Sequence, residues 1–269
     1  MFNYPAYNNG IYCKLEDLNI SILDFGFIHS DATYDVLSVK DGNIEDLNLH
    51  LNRFENSCKS WRLNPPYKEK LIEILNQLVN ISPTKDLLLW ICVTRGIPSS
   101  GNPRDLQSCT NRFYAYVKPY YGFNESNEAT VLLAKQRRNT SFNQSMKNFA
   151  WNDLNLAQWE AIDLGYDTSI LLDEKGYVTE GPGFNIGIIL GNNIYTPIQN
   201  CLNGVTMMNV ENLCKNKYAF HRINIPKYII ESADAMFLTS TAGKIIKVTQ
   251  FNDTIYEENE VLQWILKNI

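Results

Sequence analysis

The chain is poor in the residues that usually run hydrolytic chemistry. It has only three histidines in 269 residues, His29, His50 and His221. They lie far apart and none stands at a metal-ligand spacing, which argues against a zinc hydrolase. No Gly-x-Ser-x-Gly turn is present, so the strained elbow of a Ser-His-Asp enzyme is missing. The six cysteines, Cys13, Cys58, Cys92, Cys109, Cys201 and Cys214, are dispersed with no Cys-x-x-Cys pair, and read as reduced thiols used for packing. No window approaches the ~20 apolar residues of a membrane span. The start, Met1-Phe2-Asn3-Tyr4-Pro5, has neither the basic nor the apolar region of a secretion leader, so a cytoplasmic protein is expected. Positive charge is also short. Lys and Arg number 24 against 29 Asp and Glu, a net charge of -5 with a pI of about 5.3. Neither nucleic acid nor membrane is an expected partner. The densest basic run, Lys135-Gln136-Arg137-Arg138, reads as a solvated strand end. Gly181-Pro182-Gly183 is no dinucleotide fingerprint, because Ile186 stands at the third glycine position and a strand follows.

What is present suits a globular protein of two packed domains, with 45% hydrophobic and 20% charged residues. Strands are expected over Leu18 to Leu23, Ala32 to Val39, Leu87 to Val93 and Arg112 to Pro119, the third as a continuous buried run. Helices are expected from about Leu49 to Arg62 and from Glu69 to Val79, the first stopped by Asn64-Pro65-Pro66. The stretch from Lys118 to Asn127 breaks periodicity and reads as a boundary. It divides the chain into an N-terminal α/β domain at 1–119, a linker at 120–127 and a C-terminal domain at 128–269. The second part begins with a strand over Thr130 to Ala134. A helix from about Trp151 to Leu164 follows, burying Leu154, Ala157, Ala161 and Ile162 and stopped by Gly165. Strand signals then recur at Thr168 to Leu172, Gly176 to Glu180, Phe184 to Leu190, Ile194 to Thr196, Ala235 to Thr239 and Ile245 to Thr249. Strands of this spacing joined by tight turns suggest a barrel-like sheet.

With histidine scarce, chemistry falls to Lys, Glu, Tyr or a cofactor. Lys147 stands among apolar and aromatic neighbours in Ser145-Met146-Lys147-Asn148-Phe149-Ala150-Trp151. Shielding from water favours the neutral amine, which is the nucleophile. Glu180 ends an apolar run and meets a Gly-Pro-Gly loop; an ionised carboxylate there is what a pyridine nitrogen requires. Asn203-Gly204-Val205-Thr206 opens a helix, whose free N–H groups and positive dipole end suit a phosphate. Ser240-Thr241-Ala242-Gly243 is a second turn carrying hydroxyls, and Arg53 could bring a guanidinium fork. Singly, each has a plain alternative: a snorkelling lysine, a solvated carboxylate, a helix cap, a structural ion pair.

Together these segments resemble the class IV aminotransferases, the fold-type IV pyridoxal phosphate enzymes, over about Ile22 to Gln250. The motifs are Leu23-Asp24-Phe25-Gly26-Phe27-Ile28-His29-Ser30-Asp31-Ala32-Thr33-Tyr34-Asp35-Val36, His50-Leu51-Asn52-Arg53 and Val93-Thr94-Arg95-Gly96. They continue with Lys147-Asn148, Trp151-Asn152-Asp153-Leu154, Thr179-Glu180-Gly181, Gly183-Phe184-Asn185-Ile186, Gly204-Val205-Thr206 and Thr241-Ala242-Gly243. Within the group the likeness is closest to (R)-selective amine transaminases, with branched-chain and D-amino acid aminotransferases also similar. The resemblance implies a two-domain α+β fold, with a small N-terminal α/β domain and a larger barrel-like C-terminal domain. It implies pyridoxal 5'-phosphate held as a Schiff base on Lys147, which then shuttles the substrate proton. It places Glu180 on the pyridine nitrogen. Arg53, Asn185, Val205, Thr206, Ser240 and Thr241 complete the implied cofactor site. His29, Tyr34, Trp90, Trp151, Gly183 and Ala242 line the implied substrate pocket. A homodimer is also implied.

Several positions depart from that pattern. Met207 follows Gly-Val-Thr where arginine is usual, Gly-Pro-Gly replaces Gly-Ser-Gly, and Lys244 stands where a second glycine follows Thr-Ala-Gly. Trp90 replaces a pocket glutamate. The loop Ile97 to Asp105 is short and offers Arg104 where amine transaminases carry a carboxylate-binding arginine. The expected activity is amino transfer from an amine or amino acid to a keto acceptor, with small or apolar donors favoured. The alternatives are a lyase resembling aminodeoxychorismate lyase and a non-catalytic dimeric protein on the same fold.

Overall fold

The computed structural model describes residues 3–269; Met1 and Phe2, where the expected absence of a leader begins, lie outside the described residues. The chain divides into two compact units, residues 1–120 with 146–150, and residues 121–145 with 151–269.

The first unit carries β1 (Pro5–Asn8), β2 (Ile11–Lys14), α1 (Phe25–Ile28), β3 (Ala32–Lys40), β4 (Asn43–Ile44), α2 (Leu47–Ser60), α3 (Lys68–Asn80), β5 (Leu87–Thr94) and β6 (Arg112–Pro119). Its antiparallel sheet runs β2-β1-β6-β5-β3-β4. Side chains alternate across a strand, and this sheet uses its two faces differently. Leu87, Leu89, Ile91 and Val93 of β5, with Leu37 and Val39 of β3 and Ala115 and Val117 of β6, pack in one core with Leu51, Phe54, Leu71, Ile74, Leu75 and Leu78 of α2 and α3. Each such aliphatic side chain contributes about 1.5–3 kcal/mol on burial. The intervening residues Tyr34, Trp90 and Tyr116 share the other face.

The expected strand at Leu18 to Leu23 does not form. A 3-10 turn at Leu15–Asp17 and coil occupy the region, and Ile22 and Leu23 are 71% and 62% exposed. Apolar content imitated a strand there, but no sheet edge receives it. The sheet gains instead the hairpin β1–β2. Its turn residues Asn9 and Gly10 both have positive φ, as a type I′ connection requires.

The second unit carries β7 (Glu128–Arg137), α4 (Asn152–Asp163), β8 (Thr168–Leu172), β9 (Asn185–Leu190), β10 (Asn193–Pro197), α5 (Val205–Cys214), β11 (Ala219–Ile223), α6 (Lys227–Glu231), β12 (Ala235–Ser240), β13 (Lys244–Phe251), β14 (Thr254–Ile255) and α7 (Glu260–Asn268). The eight-stranded sheet runs β11-β10-β9-β12-β13-β7-β8, with β14 beside β13. It is mixed: β10–β11, β13–β7 and β7–β8 are parallel pairs. Both faces are buried. Ile186, Ile188, Met236, Leu238, Ile246 and Val248 form one core. Ile189, Phe237 and Ile245 pack the other way against Met207 and Val210 of α5 and Leu262 and Ile265 of α7.

Two expectations are corrected here. Gly176 to Glu180 is no strand; Tyr177 and Val178 make only isolated bridges, to Pro226 and Leu172. In α4, Leu154, Ala157 and Ala161 are buried, but Ile162 is 49% exposed.

Candidate active site

Lys147 sits in the five-residue segment 146–150 that packs with the first unit. Thr33 and Tyr34 point to opposite faces of β3, and the segment meets both. Thr33 Oγ1 donates to the Lys147 carbonyl at 2.5 Å, and the Lys147 N–H donates to Ser57 Oγ at 3.3 Å. The ammonium lies 4.7 Å from the centroid of the Tyr34 ring, and the Phe149 ring lies 4.6 Å from the same ring. An aromatic face attracts positive charge at this nitrogen. Lys147 is therefore half-buried and fixed through its backbone rather than a solvated surface lysine.

Tyr34 begins an aromatic ladder. Trp90 stacks on it at 5.4 Å and 9°, and Tyr116 stacks on Trp90 at 5.8 Å and 9°. Register explains the ladder, since Trp90 pairs with Tyr116 across β5–β6 and with Val36, two residues from Tyr34, across β3–β5. Trp90 Nε1 is buried without a hydrogen-bond partner among the described residues. Tyr116 was not foreseen as a member of this wall; strict alternation from Arg112 would have indicated it.

Arg53 grips a carboxylate. Its Nε and Nη2 donate to the two oxygens of Asp35 at 2.8 and 2.6 Å. His50 Nδ1 lies 2.9 Å from Asp35 Oδ1, and the Val36 N–H donates there at 2.7 Å. Asp35 is fully buried. Burial pushes its carboxyl up, but the Arg53 charge and the hydrogen bonds from His50 and Arg53 outweigh that and hold it well below the usual carboxylate range.

In the second unit Glu180 is buried. Its Oε2 accepts the Leu202 N–H at 2.8 Å and its Oε1 accepts from Arg138 Nε at 3.1 Å. Arg138 is 4% exposed, which corrects the expectation of a solvated basic run. The cause is a register shift between β7 and β8. Leu133 pairs with Ile170 and Arg137 with Leu172, four residues advancing against two. A bulge of this kind re-aims side chains. Lys135 and Arg137 face solvent while Arg138 turns inward. Strand alternation was the available signal, since two adjacent arginines cannot share a face.

Near Glu180 the chain also builds an anion cradle. Gly204 precedes α5 with extended φ/ψ of -67° and 130°, and no side chain caps the helix. The first N–H groups of α5, those of Val205 and Thr206 among them, have no intrahelical acceptor. Asn185 pairs with Thr239 across β9–β12 and donates to the Leu202 carbonyl at 2.7 Å. Its Oδ1 lies so close to Gly204 that an added Cβ would stand at 1.9 Å, so only glycine fits. Asn185 thereby ties the helix start to the end of β12, where Ser240 and Thr241 stand. Ser240 Oγ accepts the Gly243 N–H at 2.8 Å and keeps its own proton to donate. Thr239 Oγ1 is buried with no partner among the described residues. Trp151, at the N-cap of α4, lies 3.4 Å from where a Cβ on Gly183 would be, and Gly183 has φ +88°. Ala242 completes the turn after β12.

The remaining expected residues are placed as follows. His29 is exposed at the end of α1 with its ring 4.7 Å from Phe25. Arg95 of the Thr-Arg-Gly motif is a clamp, bound by Asp31 at 2.8 and 3.0 Å and by the carbonyls of Trp61 and Arg62. Arg104 is exposed. Met207 is buried in the core beneath α5. Lys244 has φ +54°, a conformation that glycine adopts more readily. All six cysteines are free, and burial pushes the Cys58 and Cys201 thiols up to about 12, which keeps them unreactive.

Comparison with known proteins identifies the family and the fold. A sequence family described as amino-transferase class IV matches residues 32–251. A putative branched-chain-amino-acid aminotransferase of Methanocaldococcus jannaschii is 27% identical over 95% of this chain and 90% of its own length. A D-alanine aminotransferase of Bacillus licheniformis is 28% identical over 91% and 87%. The crystal structure of a branched-chain aminotransferase from Thermoproteus uzoniensis with norvaline superposes with a TM-score of 0.91, at 20% identity, over 98% of this chain and 92% of that one.

Proposed function

Since the chain belongs to the amino-transferase class IV family, we propose a division of labour among its own residues for that family's reaction. The protein is a pyridoxal phosphate-dependent aminotransferase of the fold-type IV architecture, moving an amino group from a donor to a keto acceptor. Family and relatives favour this over lyase chemistry or a non-catalytic role.

Within each unit the residues suit a part of the cofactor: in the second an uncapped helix start and hydroxyls for its phosphate and a buried carboxylate for its ring nitrogen, in the first a lysine fixed through its backbone. When bound, pyridoxal phosphate supplies an electron sink for the pair left on the donor carbon. Lys147 Nζ is the attachment amine and, once released, carries the proton away from the donor carbon. Glu180 holds a proton on the ring nitrogen. The N–H groups of Val205 and Thr206, the hydroxyls of Thr206, Ser240 and Thr241, and the Arg53 guanidinium, oriented by Asp35, hold the phosphate, with Asn185 fixing the loop. Tyr34 and Trp90, and in the other unit Trp151, Gly183 and Ala242, bound the donor side chain. The working form is a cytoplasmic homodimer.

The observation that carries this reading is Lys147, backbone-anchored with its nitrogen over Tyr34. The purified protein should absorb in the violet and bleach toward the near ultraviolet on adding a good donor. Lys147→Ala should lose turnover by roughly 10²–10⁴-fold or more while keeping its fold. A variant that transaminates normally would refute the assignment. The aromatic ladder supports apolar donors, and a screen in which glutamate is the best donor would overturn that part.

A further inference from the structure

Arg138 has no role in the site as described so far, yet it is among the most constrained side chains of the second unit. Its guanidinium nitrogens reach three acceptors between them, and Nη2 also lies 3.1 Å from Glu180 Oε1. Nε donates to Glu180 Oε1 at 3.1 Å, Nη1 to Asp153 Oδ2 at 2.5 Å and Nη2 to Gln144 Oε1 at 2.6 Å. Its backbone N–H donates to the Leu172 carbonyl at 2.9 Å. The acceptors are themselves held. Asp153, in the first turn of α4, accepts the Asn139 N–H at 2.6 Å and the Leu154 N–H at 2.9 Å. Gln144 donates to the Asn139 carbonyl. All four side chains are more than nine-tenths buried.

A buried carboxylate near no cation prefers to be neutral, and a neutral acid is a poor partner for a ring N–H. A guanidinium alongside keeps it ionised. A guanidinium devoted to one carboxylate would also compete for its lone pairs. Here one cation is shared between two carboxylates, and it meets Glu180 at Oε1 while Oε2 takes the Leu202 N–H. The planar fork then fixes where the Glu180 oxygens lie.

We propose that Arg138, set by Asp153 and Gln144, is a positioning residue that keeps Glu180 ionised and oriented toward the pyridine nitrogen. This rests on the cofactor assignment above. It makes the bulge at the end of β7 part of the cofactor site, and it links the first turn of α4 to ring protonation.

The test uses pyridoxal phosphate labelled with ¹⁵N at the ring, bound to the full chain as wild type, Arg138→Lys, Arg138→Met, Glu180→Gln and the Arg138→Met/Glu180→Gln pair. Cofactor affinity and the ring-nitrogen resonance are read, with circular dichroism reporting the fold. Arg138→Lys keeps the charge but offers its donors from a single point rather than a planar fork. It should weaken cofactor binding by roughly tenfold or more and move the resonance toward the unprotonated position. In the Glu180→Gln background, loss of Arg138 should cost less than about twofold more. Should Arg138→Met not fold, Arg138→Lys alone decides. Substitutions that lower the melting temperature but leave resonance and affinity at wild-type values would overturn the proposal, as would fully additive effects in the pair. A wild-type chain that binds no pyridoxal phosphate would instead overturn the cofactor assignment itself.

Discussion

Two buried arginines organise the two units in opposite ways. In the first unit the carboxylate is the hub: Asp35 collects two bonds from Arg53, one from His50 and one from the Val36 N–H. In the second unit the guanidinium is the hub: Arg138 distributes three nitrogens over Glu180, Asp153 and Gln144. The contrast separates structure from chemistry. A carboxylate surrounded by four donors is saturated and serves to orient its arginine. In the role proposed for Glu180, a carboxylate that shares its arginine with a second anion is kept ionised for a cofactor nitrogen.

The largest effect should come from breaking the saturated hub. Asp35→Ala leaves a buried guanidinium without its fork partner and should cost about 3–5 kcal/mol in urea unfolding. Glu180→Gln should cost only about 1–2 kcal/mol, since Arg138 keeps Asp153. Equal costs would erase the distinction between the two hubs.

Acid should sharpen the same contrast. Asp35 is held below its unfolded pKa, so its stabilising contribution is present above about pH 4 and is lost as pH falls below that. The difference in stability between wild type and Asp35→Asn should be on the order of 2–3 kcal/mol at neutral pH and should narrow steadily on acidification. A difference that stays constant between neutral pH and strong acid would show that Asp35 is not the group responsible.

These hubs were not equally legible. Arg53 ends the stretch His50-Leu51-Asn52-Arg53 on a helix whose apolar spacing is plain, so its direction was readable. Arg138 lies in a polar run, where alternation from Arg137 marks its direction but no apolar periodicity announces its burial. The same limit governs the fold. The continuous run of β5 and the helical spacing of α2 and α3 reflect burial directly, and they formed where expected. The segment from Leu18 to Leu23 is as apolar as a strand but exposed, because pairing depends on a sheet edge elsewhere in the chain. The strand β11 shows the converse, being an edge strand whose residues are half-exposed and patternless. In the candidate site, Lys147, Glu180 and the helix start at Val205 were readable from residue type and neighbours. The Tyr116 rung and the Arg138 hub depend on strand register.

The most discriminating effect concerns the neutral member of each hub. His50 and Gln144 are both 3% exposed and each makes a hydrogen bond to its hub. Replacing either by leucine removes one such bond and should cost about 1–3 kcal/mol. The functional consequences should differ. In His50→Leu, Asp35 keeps both bonds from Arg53, so the fork stays in place and cofactor affinity should change little. In Gln144→Leu the guanidinium loses one of its three anchors and can rotate, so Glu180 loses orientation and cofactor binding should weaken several-fold, by less than in Arg138→Lys. Paired measurements of unfolding and cofactor affinity decide the matter. Equal affinity losses at equal stability cost would mean that both hubs act on the cofactor site only through general rigidity.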